Sequence, residues 1–320
     1  MRKTDSPLLI LGGAGFIGCN VIKEIHEERQ IIVMDKFIHQ DSHLFTKDFS
    51  VNVRTMQCDI NEKNVIRDVL EKYKIQDVIH LAANSDIKLS ENTNTDFQET
   101  LETTLTLFEA VKMKPIRTLI FSSTSAIYGE VAEPVGEKFH ENNGLRPISN
   151  YGKCKLISEY ILTLAQTNGL VGKLGIIRFP NVVGAYSTHG ILYDFFVKRK
   201  ENSSTLDVLG NGTQTKPYIF ATDLAKEMLA FYSRLIHKTE SIEFFNVSPS
   251  NSISVKEIVE IFLEKTKWSV PVSYGKENIG WVGDVTSYSY LLNEFTEKLS
   301  DSKSAIQKAV DSLLGDPRFT

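Results

Sequence analysis

Leu8-Leu9-Ile10-Leu11-Gly12-Gly13-Ala14-Gly15-Phe16-Ile17-Gly18 is the stretch from which the rest of the chain is read. Four apolar residues meet a turn whose glycines fall at its first, fourth and seventh positions, and a helical pattern follows from about residue 16 to 28. A second apolar run, Ile31–Met34, ends at Asp35. This is strand, tight turn, helix, strand, the opening of a parallel unit. Further strands are read at Val51–Met56, Asp77–Leu81, Arg117–Ser122 and Lys173–Phe179, with helices at about 64–74, 96–112 and 151–167 between them. Such alternation predicts an α/β fold: a Rossmann-type doubly wound parallel sheet with helices on both faces. Past Pro180 the rhythm changes. A strand and turn at Leu206–Gly212 and helices at about 223–235 and 255–265 predict a smaller α/β substrate-binding lobe. The expected division is 1–181, with returning segments about 215–250, for the sheet domain, and 182–214 with 251–320 for the lobe.

The glycine turn has a physical purpose. A tight first turn, close approach of the backbone to a pyrophosphate and close packing of helix on strand all require a missing Cβ. Gly12, Gly15, Phe16, Ile17 and Gly18 are therefore candidates for holding a dinucleotide. Asp35, seventeen residues past Gly18, ends the next strand, where a carboxylate accepts both ribose hydroxyls and repels a 2′-phosphate; this predicts NAD over NADP. Lys36 follows at once and softens that preference. Asp59 and Ile60 follow the third strand, placed either to meet the adenine or to cap a helix. Leu81, Ala82 and Ala83 end the fourth strand with the small side chains that a backbone lying against a cofactor requires, and that plain packing also accepts.

Tyr151-Gly152-Lys153-Cys154-Lys155 sets a tyrosine and a lysine four apart on one helix face. A phenol titrates near ~10; an adjacent ammonium and a positive nicotinamide would draw it toward ~7, where proton transfer is efficient. Ser122-Ser123-Thr124-Ser125 places hydroxyls where a central strand ends, and Thr124 is positioned to share the proton with Tyr151.

The 320 residues carry a formal charge of −4, 42% hydrophobic and 24% charged residues, and no basic block, so no nucleic-acid or anionic-membrane partner is expected. Leu8–Leu11 is too short for a secretion signal or a bilayer span. Cys19, Cys58 and Cys154 lack ligand spacing, which predicts free thiols, no metal and a reducing, cytoplasmic setting.

The ordered set of Gly12–Gly18, Asp35, Cys58-Asp59-Ile60, His80-Leu81-Ala82-Ala83, Ser122–Gly129, Tyr151-x-x-x-Lys155 and Arg178–Gly184 resembles the extended short-chain dehydrogenase/reductase family, over roughly the first 285 residues. Within it the chain is most similar to the NAD-dependent epimerases and dehydratases of the UDP-glucose 4-epimerase type. Ser187–Gly190, Leu209–Lys216 and Gly280–Val285 also resemble its compact branch. The resemblance implies NAD as cofactor, a UDP-hexose substrate, reversible oxidation at sugar C4 through a 4-keto intermediate, and a homodimer formed through the helices at about 96–112 and 151–167. By the same resemblance Tyr151 is the acid/base, Thr124 its hydrogen-bonding partner, Lys155 the ribose-binding cation, and Asn181 and Lys216 contacts to the diphosphate. Tyr288 stands where bulk excludes an N-acetyl group. The chain departs from the pattern at Gln98–Thr104, where an asparagine normally helps to place the lysine, at Ile279, where an arginine is common, and at Lys216, which lacks the bidentate fork of arginine. Ser125-Ala126 after Thr124 lack the acidic residues of a 4,6-dehydratase or decarboxylase. A nucleotide-4-keto-sugar reductase, a UDP-GlcNAc 4-epimerase and a non-catalytic dinucleotide-binding protein are the alternative readings.

Overall fold

Strand β1 (Leu8–Leu11) is the axis of the structure, a computed structural model that describes residues 6–37, 49–83, 96–129, 138–139, 145–249, 251–275, 289–290 and 299–320. All four of its side chains are fully buried, as a strand covered on both faces demands. β1 pairs in parallel with β2 (Ile31–Asp35) on one side and β4 (Asp77–His80) on the other, so that Leu11 lies between Met34 and His80. Outward from β2 lies β3 (Val53–Gln57); outward from β4 lie β5 (Ile116–Ser122), β6 (Val171–Arg178) and β7 (Ile242–Asn246). The order 7-6-5-4-1-2-3 reverses direction between β1 and β4, the crevice where doubly wound sheets bind ligands. The expected fold class is observed. β3 differs from the expectation of a buried strand: it is the sheet edge, and none of its residues is fully buried. β7 is a seventh strand that the sequence reading did not separate.

Helices α1 (Phe16–Ile25), α2 (Val65–Lys72), α3 (Thr103–Met113) and α4 (Asn150–Thr167) connect these strands. Leu9, Leu11, Met34, Val78, Leu119, Phe121 and Leu174 pack with Ile66 and Leu70 of α2, Leu107 and Val111 of α3 and Leu162 of α4. Each such buried aliphatic side chain contributes roughly 1.5–3 kcal/mol relative to exposure. The expected helix over 96–112 is two pieces, a π-helical turn Phe97–Glu102 leading into α3. There the Thr103 and Thr104 hydroxyls donate back to the Thr100 carbonyl at 2.9 and 3.1 Å, which offers the backbone an alternative to the regular ladder.

The described residues fall into two compact units. The first lies within Met1–Gly129, Gly144–Arg178 and Ala225–Phe245, the second within Glu130–Asn143, Phe179–Leu224 and Asn246–Thr320. The second unit has its own core, in which Phe195 and Phe196 of α5 (Ile191–Lys200), Phe262 of α7 (Val255–Thr266) and Ile306 and Val310 of α8 (Ser302–Leu314) meet. Helix α6 (Ala221–Leu235) begins in the second unit and runs into the first. Among the described residues no helix is long and apolar enough to cross a membrane, and no three His, Cys, Asp or Glu residues gather as a metal site. Cys19, Cys58 and Cys154 are free.

Candidate active site

The turn after β1 is closed to side chains. Gly12 has φ +76°, and a Cβ there would lie 2.6 Å from the backbone nitrogen of Ala82, which follows β4. A Cβ on Gly18 would lie 2.5 Å from the Gly13 carbonyl, so the first turn of α1 presses directly on the loop. Gly15 caps α1 in extended conformation and, as glycine, offers no side chain to the helix's first N–H groups. Phe16, Ile17 and Gly18 form that first turn, so their N–H groups face the positive end of the helix, suited to a phosphate. Asp35 closes the other side. Its carboxylate accepts the N–H of Ala14 at 3.0 Å and of Phe37 at 2.8 Å, which ties the end of β2 to the glycine turn. The Leu81 N–H donates to the Leu11 carbonyl at 2.9 Å, and Ala82 and Ala83 continue along the same edge. A backbone cradle beside a helix N-terminus, flanked by a carboxylate at the end of β2, fits the diphosphate and ribose of NAD.

Asp59 does not cap a helix, because α2 starts only at Val65, after Asn64 in left-handed conformation. It instead accepts the Asn61 N–H at 2.9 Å and pairs with Lys36 at 3.1 Å. Ile60 beside it is buried in the sheet core.

Two strands from β1, β5 runs out into Ser123-Thr124 and a short 3-10 turn, Ser125–Ile127, that Thr124 caps by accepting the Ala126 N–H at 3.1 Å. Ser149 caps α4 in the same manner through the Gly152 N–H at 3.0 Å, and Tyr151 follows in the first turn. Gly152 allows this approach: a Cβ there would lie 2.8 Å from the Ala126 carbonyl. The result sets the Tyr151 phenol beside Thr124, whose side chain favours its ionised form. One turn on, Lys155 is 1% exposed, and its Nζ donates to the Ser122 carbonyl at 2.6 Å, 5.9 Å from the Tyr151 ring centre.

Burial dominates the electrostatics of the phenol. Burial and then the Asp96 charge push the Tyr151 hydroxyl above its usual range, against the Thr124 side chain, rather than down toward neutrality. Lys155 moves the other way. Burial brings its ammonium down to about 7, opposed by Glu159. The Lys155 ammonium is engaged by the Ser122 carbonyl and is itself desolvated. Burial thus favours the protonated phenol.

A buried network that the sequence reading missed supports this centre. Glu159, four residues past Lys155 on α4, receives a bidentate pair from Arg178 at the end of β6, at 3.1 and 2.7 Å, and accepts the Ser123 hydroxyl. Arg178 also donates to the Tyr128 hydroxyl at 3.0 Å. The Thr104 hydroxyl also lies 3.4 Å from His80 Nε2 and 3.0 Å from the Ser158 hydroxyl. The spacing Tyr-x-x-x-Lys-x-x-x-Glu along one helix face was the available signal.

Asn181 and Lys216 belong to the second unit. Strand Asn181–Val183 pairs in parallel with Tyr218–Phe220, two residues past Lys216, whose ammonium burial lowers. Asn181 is exposed. Tyr288 and Ile279 lie outside the described residues.

Residues 8–247 match the model of the NAD dependent epimerase/dehydratase family. Among curated proteins, the chain is 28% identical to a UDP-glucose 4-epimerase of Corynebacterium glutamicum, over 94% of this chain and 99% of that one. It is 27% identical to a UDP-glucose 4-epimerase of Yersinia pestis, over 80% and 81%. Among solved structures, a UDP-glucose 4-epimerase superposes with a TM-score of 0.81 at 25% identity, covering 98% of this chain and 99% of that one.

Proposed function

The chain belongs to the NAD dependent epimerase/dehydratase family, an NAD-dependent enzyme family, and from that premise we propose that it is a nucleotide-sugar 4-epimerase acting on UDP-glucose and UDP-galactose. The observation that carries the reading is the close approach of the Thr124 turn to Tyr151 at the start of α4, with Lys155 buried one turn on, at the same end of the sheet as the glycine cradle. Gly12, Gly15, Phe16, Ile17 and Gly18 hold the diphosphate of NAD, and Asp35 its ribose. Asp59, Ile60 and Leu81–Ala83 line the rest, and Lys155 reaches the nicotinamide ribose. Bound NAD supplies the acceptor for the C4 hydride and its return. Tyr151 takes the C4 hydroxyl proton, with Thr124 beside it. It gives the proton back after the 4-keto sugar has turned over, so that the product differs only at C4. Asn181 and Lys216 hold the diphosphate while the sugar moves. The first unit carries the cofactor, and the second, to which Asn181 and Lys216 belong, receives the sugar.

The setting is cytoplasmic, consistent with three free thiols. The enzyme is a homodimer: Leu105 and Met113 on α3 and Ile157, Tyr160 and Leu164 on α4 are exposed large apolar residues, and those of α4 recur at helical spacing on one face. Incubation with UDP-glucose, UDP-GlcNAc and their CDP and dTDP counterparts, with no added cofactor and with product sugars resolved by NMR, tests the function. Interconversion of UDP-glucose and UDP-galactose without net cofactor consumption is expected. A reduced or deoxy product overturns it, and turnover of UDP-GlcNAc matching that of UDP-glucose overturns the choice of hexose.

A further inference from the structure

Lys36 follows the carboxylate that ends β2, and a cation at that place ordinarily invites a phosphate on the neighbouring ribose. Its ammonium is already engaged. Nζ lies 2.9 Å from Glu99 Oε1 and 3.1 Å from Asp59 Oδ2, joining the end of β2, the loop after β3 and the π-helical turn before α3. Neither contact is incidental to the backbone. Asp59 is oriented by the Asn61 N–H, and the Asn61 side-chain amide donates to the Gln98 carbonyl at 3.1 Å, one residue before Glu99. Asp59 and Glu99 thus set two carboxylates against one ammonium.

We propose that Glu99 determines cofactor specificity: by holding Lys36 against Asp59 it withholds the ammonium from a 2′-phosphate, so that the site selects NAD and rejects NADP. The role falls in the segment Gln98–Thr104, which departs from the family pattern, and no contact to the reacting atoms is involved. Glu99→Gln keeps the shape and removes the charge. Lys36 is then shared with Asp59 alone, and a phosphate dianion competes for it.

The test equilibrates purified protein with equimolar NADH and NADPH, removes free dinucleotide by desalting, and quantifies what the denatured protein releases. E99Q is expected to raise the retained NADPH-to-NADH ratio about fivefold, the scale of a partly exposed ion pair. E99A is expected to move it in the same direction. In K36Q/E99Q the gain should vanish, because it depends on the freed lysine. An unchanged ratio in E99Q, or a gain that survives in the double variant, overturns the proposal. So does loss of NADH retention in both E99Q and E99A, since Glu99 would then hold the site together rather than choose its occupant.

Discussion

The glycine cradle and the Thr124–Tyr151–Lys155 centre stand on the same edge of one sheet and are built by opposite means. The cradle is made of backbone approaching backbone: Gly12 against Ala82, Gly18 against Gly13. The acid/base centre is made of side chains, each held by a partner from another element: Lys155 by the end of β5, Glu159 by the end of β6, Tyr151 by the Thr124 turn. The first depends on space and is insensitive to pH. The second depends on charge and desolvation, and each of its groups alters its neighbours.

Substitutions separate the two. Tyr151→Phe removes the proton carrier and leaves the cradle untouched; turnover should fall about 100- to 10,000-fold while the NAD content of purified protein stays at the wild-type level. A parallel loss of NAD would mean that the two regions are one. A pair of glycine replacements gives a smaller effect. Gly12→Ala forces a Cβ into the Ala82 backbone at positive φ, so it should cost about 1–3 kcal/mol of stability and release NAD. Gly152→Ala pushes α4 off the Thr124 turn and should lower turnover with NAD retained. Dinucleotide content, thermal denaturation and initial rates on the same preparations decide whether the losses sort in this way.

The smallest expected effect is on stability against pH. Burial, with Lys155 nearby, holds the His80 imidazole at about 3 in the folded chain against 6.5 in the unfolded one. The unfolded state therefore binds the extra proton between these values, and stability must fall as pH drops from 6.5 toward 3. His80→Asn should flatten that part of the profile of denaturation midpoint against pH. An unchanged slope would show that other groups carry the acid sensitivity.

The cradle was legible in the sequence because its requirement is local: a strand, a turn without Cβ atoms and a carboxylate at a set distance declare it. The Tyr151 and Lys155 pair was legible as spacing, but its electrostatics were not. Whether an ammonium lowers a neighbouring phenol depends on what else it touches, and the Ser122 carbonyl, Glu159 and Asp96 come from β5, α4 and the π-helical turn. The same non-locality hid the Glu159–Arg178 pair, nineteen residues apart along the chain and in contact only once the sheet has formed. β3 misled for a different reason: Val53 and Thr55 have strand-forming side chains, and nothing local marks an edge.

The tight contact of Gly12 with Ala82 has a practical meaning for anyone who would redesign this molecule. Backbone and a single methyl group, that of Ala82, make it, so there is almost nothing there to trim, swap or tune. Grip and choice are thereby assigned to largely separate hardware: the cradle supplies a fixed socket, to which Asp35 is tied through the Ala14 N–H, while Lys36 and Glu99 form an editable rim.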